Sequence, residues 1–155
     1  SLNTGRPALG KWVFESKYRD LQIEPAYAFG YGLSYTTFEY TDLKLSKDKM
    51  SQEPDDYIKV SVDVQNTGDR AGEEVVQLYI RDVIGSRARP MKELKGFDKI
   101  MLAPGEKKTV EFMLKSSDLA FTDWNMKKVT EPGDFNVMIS KNAAEPVLFA
   151  SFKVE

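Results

Sequence analysis

Carboxylates are the first residues to weigh for chemistry in this 155-residue chain, because it has neither histidine nor cysteine. Their absence removes Ser-His-Asp and Cys-His nucleophilic catalysis, imidazole or thiolate metal sites and any disulfide framework. Hydrolysis of a glycosidic bond by carboxyl groups needs two of them facing each other across a cleft at roughly 5 to 10 Å, one with a raised pKa. Asp55 and Asp56 sit in a loop ahead of a strand-like run. Glu73 and Glu74 are neighbours entering another, where adjacent side chains point to opposite faces. Neither pair is expected to converge. Asp118, Asp123, Glu131 and Asp134 lie closer together, but each stands beside a turn residue, where acids cap or solvate the backbone. Asp123, Trp124 and Asn125 with Asp118 offer oxygen atoms to calcium without the spacing of an EF-hand loop, so turn chemistry is their expected role. No metal and no cofactor is expected. Gly30-Tyr31-Gly32 lacks the third glycine and the strand-to-helix setting of a dinucleotide loop and reads as a bend between aromatics.

Charge excludes a further class. Lys plus Arg is 22 against Asp plus Glu at 24, a formal charge of -2. No excess of positive charge exists to neutralise phosphates, so nucleic acid is not an expected partner. Arg81, Arg87, Arg89, Lys92, Lys95 and Lys99 are interleaved with Asp82, Glu93 and Asp98, which suits an edge strand guarded by lysines better than an anion-binding patch. No apolar run approaches the roughly 20 residues that span a bilayer, and no membrane association is expected. Trp12 and Trp124 are candidates for stacking on sugar faces, which leaves a carbohydrate-binding surface as one alternative.

The elements that would position these residues are strands. Ile58, Val60, Val62 and Val64 alternate with Lys59, Ser61, Asp63 and Gln65 up to the turn sequence Asn66-Thr67-Gly68-Asp69. Val76, Leu78 and Ile80 share one face of GEEVVQLYIRD, with Val75, Gln77, Tyr79 and Arg81 on the other. Val110, Phe112 and Leu114 form a third such face after the turn Ala103-Pro104-Gly105-Glu106. Phe135, Val137 and Ile139 open a terminal hairpin that closes through the run from Val147 to Val154. Phe38, Tyr40, Leu43 and Leu45 change phase, predicting a bulge, and Gly96 predicts a kink in the run from Lys92 to Leu102. Ser116 to Phe121 offers at most one helical turn. The sum is an all-β fold, an antiparallel β-sandwich of immunoglobulin or fibronectin type III kind.

Residues 1 to 37 differ. Trp12, Phe14, Tyr18, Tyr27, Phe29, Tyr31 and Tyr35 crowd this stretch, yet Gly5, Pro7, Gly10, Pro25, Gly30 and Gly32 interrupt any regular element. Such a segment reads as a strap that packs on the sandwich or on a further domain. Trp12, Phe14, Tyr27, Phe29, Tyr31 and Tyr35 are the candidate interdomain contacts, with self-association through the same segment as the alternative.

Five segments carry a family resemblance. AFGYGLSYTTF at 28 to 38 closely resembles the aromatic segment leading into the C-terminal domain of glycoside hydrolase family 3, the β-glucosidases and β-xylosidases. NTGRP at 3 to 7, GEEVVQLYIRD at 72 to 82, RPMKELKGFDKIMLAPGE at 89 to 106, and DLAF with EPGDF at 118 to 121 and 131 to 135 are similar to successive landmarks of the same region, in the same order. Ala28 stands where the family usually has proline. The resemblance implies that residues 38 to 155 are a fibronectin type III-like domain and that residues 1 to 37 are a linker with the tail of a preceding α/β sandwich domain. It also implies that the family's catalytic aspartate and acid/base carboxylate lie upstream of residue 1, so no catalytic residue is carried onto this chain. An accessory domain of a family 3 β-glycosidase, with the upstream catalytic domains of the same polypeptide as its partners, is the expected role. Many family members are exported. The alternative is an independent carbohydrate-binding or adhesion module.

Overall fold

The computed structural model describes residues 25–83 and 92–155. Its strands in chain order are β1 (Phe38–Leu45), β2 (Lys49–Met50), β3 (Tyr57–Asn66), β4 (Gly72–Asp82), β5 (Glu93–Leu102), β6 (Lys107–Lys115), β7 (Phe121–Thr122), β8 (Lys128–Val129), β9 (Gly133–Asn142) and β10 (Glu145–Val154). One sheet has the order β1-β3-β6, a second β2-β10-β9-β4-β5, and β7 pairs with β8 in a small ribbon. The long strands pair antiparallel, and only β2 runs parallel to its neighbour β10. The two larger sheets form a β-sandwich of the immunoglobulin or fibronectin type III kind that the alternation of apolar residues predicts.

Alternation decides which side of each strand meets the other sheet. Ile58, Val60, Val62 and Val64 of β3 are fully buried, as are Val76, Leu78 and Ile80 of β4 opposite them across the sandwich. Val110, Phe112 and Leu114 of β6 and Phe135, Val137 and Ile139 of β9 complete the same core. Phe135 stacks on Phe152 of β10 with ring centroids 5.5 Å apart, which ties the terminal hairpin to the centre. Burying each such side chain is worth about 1.5–3 kcal/mol, so the two facing layers supply most of the stability.

Both irregularities foreseen in the sequence are present. The β1–β3 register shifts between Thr41 and Lys44, with Asp42 at φ 55°. The extra residue lets Tyr40 and Leu45 face the core from either side of the bulge. The β4–β5 register slips beside Gly96, which pairs with Leu78 while the next pair is Tyr79 with Leu94. A Cβ on Gly96 would lie 3.1 Å from a ring carbon of Phe112, so the glycine also admits the phenyl ring between the sheets. The one helical element among the described residues, a 3-10 turn at Ser116–Leu119, buries Leu119, and the Asp118 carboxylate accepts from the Lys115 N–H at 2.8 Å. Among the described residues no helix is long and apolar enough to cross a membrane.

Val62 is fully buried in mid-β3, paired with Val110. Val62→Asp should lose more than about 4 kcal/mol, a large part of a small domain's stability of about 5–15 kcal/mol. Met113→Gln, on the exposed side of the neighbouring strand, should stay within about 0.5 kcal/mol. Urea unfolding of both variants checks the pair: equal midpoints would contradict the facing of β3.

Candidate functional site

The strap enters the described structure at Pro25 and runs to β1. Its backbone is bound to the sandwich at two buried amides. The Gln77 side chain, on the outer face of β4, donates to the Gly30 carbonyl at 3.1 Å and to the Lys141 carbonyl at 2.8 Å. Its oxygen accepts from the Tyr79 hydroxyl at 2.8 Å. The Ala143 N–H in the β9–β10 turn donates to the Phe29 carbonyl at 2.8 Å, and the Lys92 amine donates to the Ala143 carbonyl while lying 5.6 Å from the Tyr79 ring centre. Burial pulls the Lys92 amine below the usual lysine range. Gly30 has φ 75°, and a Cβ there would stand 2.5 Å from the Gln77 oxygen, so both backbone angle and space demand glycine. The bend is a hydrogen-bonded turn, closed by the Tyr31 N–H on the Ala28 carbonyl at 3.0 Å.

Asn66 is the second anchor. Its amide nitrogen donates to the carbonyls of Arg70 and Leu102 at 2.7 and 3.0 Å, and its oxygen accepts from the Thr36 hydroxyl at 2.7 Å and the Gly68 N–H at 3.0 Å. One residue on, the Thr67 N–H donates to the Thr37 carbonyl at 2.9 Å. The strap is thus fastened by its main chain and by short hydroxyl side chains.

Its large side chains point the other way. Tyr27 is 72% exposed, Phe29 70%, Tyr31 43%, Leu33 88% and Tyr35 93%. Tyr27 and Tyr31 lean on each other with ring centres 5.1 Å apart. Trp12 and Phe14, the other two candidate contacts, lie outside the described residues. Trp124 stands 82% exposed in the turn between β7 and β8.

Between strap and sandwich lies a cleft of about 270 Å³ bordered by Tyr31, Ser34, Thr37, Glu74, Lys141 and Asn142. Glu73 and Glu74 face opposite ways, as expected. Glu73 pairs with Lys99 at 2.5 Å on the outer side. Glu74 turns toward the sandwich and accepts from the Tyr40 hydroxyl at 2.6 Å. Burial raises the Glu74 carboxyl, against the Tyr40 hydrogen bond and the Lys141 charge, which lower it. Burial and the carboxylate also push the Tyr40 hydroxyl well up, so it remains the donor. Asp56 instead closes its own loop, accepting from the N–H groups of Ser51 and Tyr57 and pairing with Lys47, which hold it well below the usual carboxylate range. Asp123 accepts from the N–H groups of Asn125 and Lys127 within its turn. Among the described residues no three acidic side chains gather as a metal site.

The sequence reading missed Gln77, Asn66 and Leu33 as parts of this site. One signal was available for Gln77: VVQLYI is apolar on both faces, and a strand covered on both sides reads this way. Tyr79 and Met138, on the outer face, are indeed as buried as the inner residues.

A family profile described as Fibronectin type III-like domain matches residues 74–143. The chain is 48% identical over 145 residues to the periplasmic β-glucosidase of Salmonella typhimurium, covering 92% of this chain and 19% of that protein. It is 48% identical over 132 residues to a putative β-xylosidase of Formosa agariphila, covering 85% and 17%. The fold superposes on the crystal structure of the β-glucosidase of Listeria innocua in complex with glucose with a TM-score of 0.85 and 37% identity, covering 99% of this chain and 21% of that one. The chain spans about a fifth of the length of these relatives and corresponds to one domain of them.

Two outcomes test the site. Gln77→Leu removes the donors to the Gly30 carbonyl of the strap and the Lys141 carbonyl of β9, and chymotrypsin should then cleave at Tyr27, Phe29 and Tyr31 about 5- to 10-fold faster under native conditions; an unchanged rate would mean that Gln77 does not hold the strap. Glu74 has a folded pKa above its unfolded value, so its ionisation costs stability as pH rises through the folded pKa. Glu74→Gln, which keeps an acceptor for Tyr40, should raise the urea midpoint at pH 7 and lose that advantage below the unfolded carboxyl pKa of about 4.3. A gain that persists at pH 3 would locate its cause elsewhere.

Proposed function

The chain belongs to the fibronectin type III-like domains of family 3 glycoside hydrolases, and from that membership we propose that it is a non-catalytic accessory domain that packs on neighbouring domains and holds them in register. One observation carries the reading: the strap is fastened by its backbone while Tyr27, Phe29, Leu33 and Tyr35 stand 70% exposed or more. A self-contained domain gains nothing from ordering a segment with its apolar side chains in water, because the ordering entropy is then offset only by a few hydrogen bonds. A neighbouring domain seated on those side chains supplies the missing burial. In this reading residues 1 to 37 are the linker and the tail of the preceding domain, and residues 38 to 155 form the accessory domain. The strap side chains, with Trp12 and Phe14, are the interdomain contacts, and the upstream domains carry the hydrolysis of β-linked glucosides or xylosides.

The carboxylates of this chain support the division of labour. Glu73 and Glu74 diverge, Asp56 and Asp123 are spent on loop backbone, and Asp118 serves the 3-10 turn. The 155-residue chain should therefore release no 4-nitrophenol from the aryl β-glucoside or β-xyloside above a no-protein control. Turnover abolished by changing one of its carboxylates would overturn that.

The contact itself is tested with the double substitution Leu33→Ser with Tyr35→Ser. In the 155-residue chain it should shift stability by less than about 0.5 kcal/mol, as an exposed change does. In the longer polypeptide that includes the upstream domains it should speed thermal inactivation of glycosidase activity several-fold. Equal and small effects in both would remove the strap from any interdomain contact.

A further inference from the structure

We infer that the outer face of β4 and β5 continues the strap's contact surface, and that its occupant is the domain attached ahead of the strap in the same polypeptide. This rests on the strap reading above and extends it to a sheet face that the sequence did not single out. In the antiparallel register Gln77 faces Phe97, Val75 faces Lys99 and Glu73 faces Met101, so these pairs share one side of the sheet. It is the outer side, because Val76 and Leu78 between them are buried in the core.

A solvated outer face of an antiparallel sheet is normally polar. Here Phe97 is 68% exposed and Met101 55%, with Val75 beside them at 36%. The patch is continuous with the strap, since Leu33 and Tyr35 border the same groove as Val75 and Lys99. Gln77, which holds the strap at Gly30, is the direct cross-strand partner of Phe97.

Geometry selects the occupant. Gly30 of the strap rests on Gln77, the cross-strand partner of Phe97, and Leu33 and Tyr35 border Val75 and Lys99, so whatever precedes the strap in the same polypeptide is joined to this face through chain already docked beside it. Such a tether makes the contact intramolecular and raises its effective concentration above that of a second copy in dilute solution. The relatives extend over about five times the length matched by this chain, which provides a partner of domain size. The exposed aromatics of strap and face together could bury on the order of 600–800 Å², close to one partner's share of a standard interface. The face asks for a partner surface that is apolar against Phe97, Val75 and Met101 and offers a polar group to the Glu73–Lys99 pair that stands between them.

Three exposed methionines allow a direct test. Met101 lies on the inferred face, Met113 on the outer side of the other sheet and Met126 in the β7–β8 turn, 55%, 59% and 82% exposed. Oxidation by dilute hydrogen peroxide, followed by peptide mass spectrometry, should convert all three at comparable rates in the 155-residue chain. In the longer polypeptide Met101 should slow at least tenfold relative to Met113. A Met101 that oxidises there as fast as Met113, while Leu33→Ser with Tyr35→Ser still hastens inactivation, overturns this inference and leaves the strap reading standing. Protection of Met101 with a silent strap substitution upholds the sheet face and removes the strap from the contact. Protection that appears in the 155-residue chain alone and grows with its concentration makes the occupant a second copy and overturns the assignment.

Discussion

A primary amide that is fully withdrawn from water must find partners for every hydrogen and lone pair, and Asn66 meets that requirement in a way that fixes the rest of the molecule. Its four side-chain hydrogen bonds reach the strap at Thr36, the β3–β4 turn at Gly68 and Arg70, and the end of β5 at Leu102. Its own N–H and carbonyl engage Glu106 and Gly105 in the turn before β6. Leaving any of these groups buried and unpaired costs about 1–3 kcal/mol, so the segments are held in a common arrangement or not at all. Gln77 repeats the device at the other end of the strap. The alternating valines and leucines supply the burial of the core, and the two amides tie the strap to the strands and turns around it.

That division explains what could be read from the residues alone. Ile58 to Val64 and Val110 to Leu114 announce their strands because a period of two has one physical cause, a sheet with a wet and a dry side. The phase change after Tyr40 and the glycine at position 96 marked the bulge and the kink for the same reason. Asn66 was legible only as part of a turn, since Asn-Thr-Gly describes the local bend and says nothing of carbonyls 36 residues away. Gln77 sits on the face opposite Val76 and Leu78 and is dry because the strap at Gly30 lies over it. Exposed Phe97 was unreadable for the converse reason: a phenylalanine in a strand is assumed to face inward, and only the register with Gln77 reveals that it does not.

The acidic residues illustrate how backbone demand competes with chemistry. Asp56, Asp118 and Asp123 each accept from main-chain N–H groups in their own loops, which occupies their oxygens. Among the described acids Glu74 alone combines partial burial with a raised pKa, yet its partner is the buried Tyr40 hydroxyl, and its neighbour Glu73 is turned to the other side of the sheet. A raised carboxyl is a common companion of catalysis, but without a second carboxylate across a gap it describes a buried hydrogen bond.

The register slip beside Gly96 carries a consequence for assembly. β5 is the outermost strand of its sheet, and an outermost strand that is long and regular invites a neighbour's strand, which in turn presents a new free edge, so growth has no natural end. The extra residue at Lys95 breaks the ladder spacing, and a bulge of this kind bends and twists its strand. Contact through the broad apolar face is closed by a single partner, whereas contact through an edge is not. The inserted residue in β5 makes that margin of the larger sheet a poorer template for a neighbour's strand.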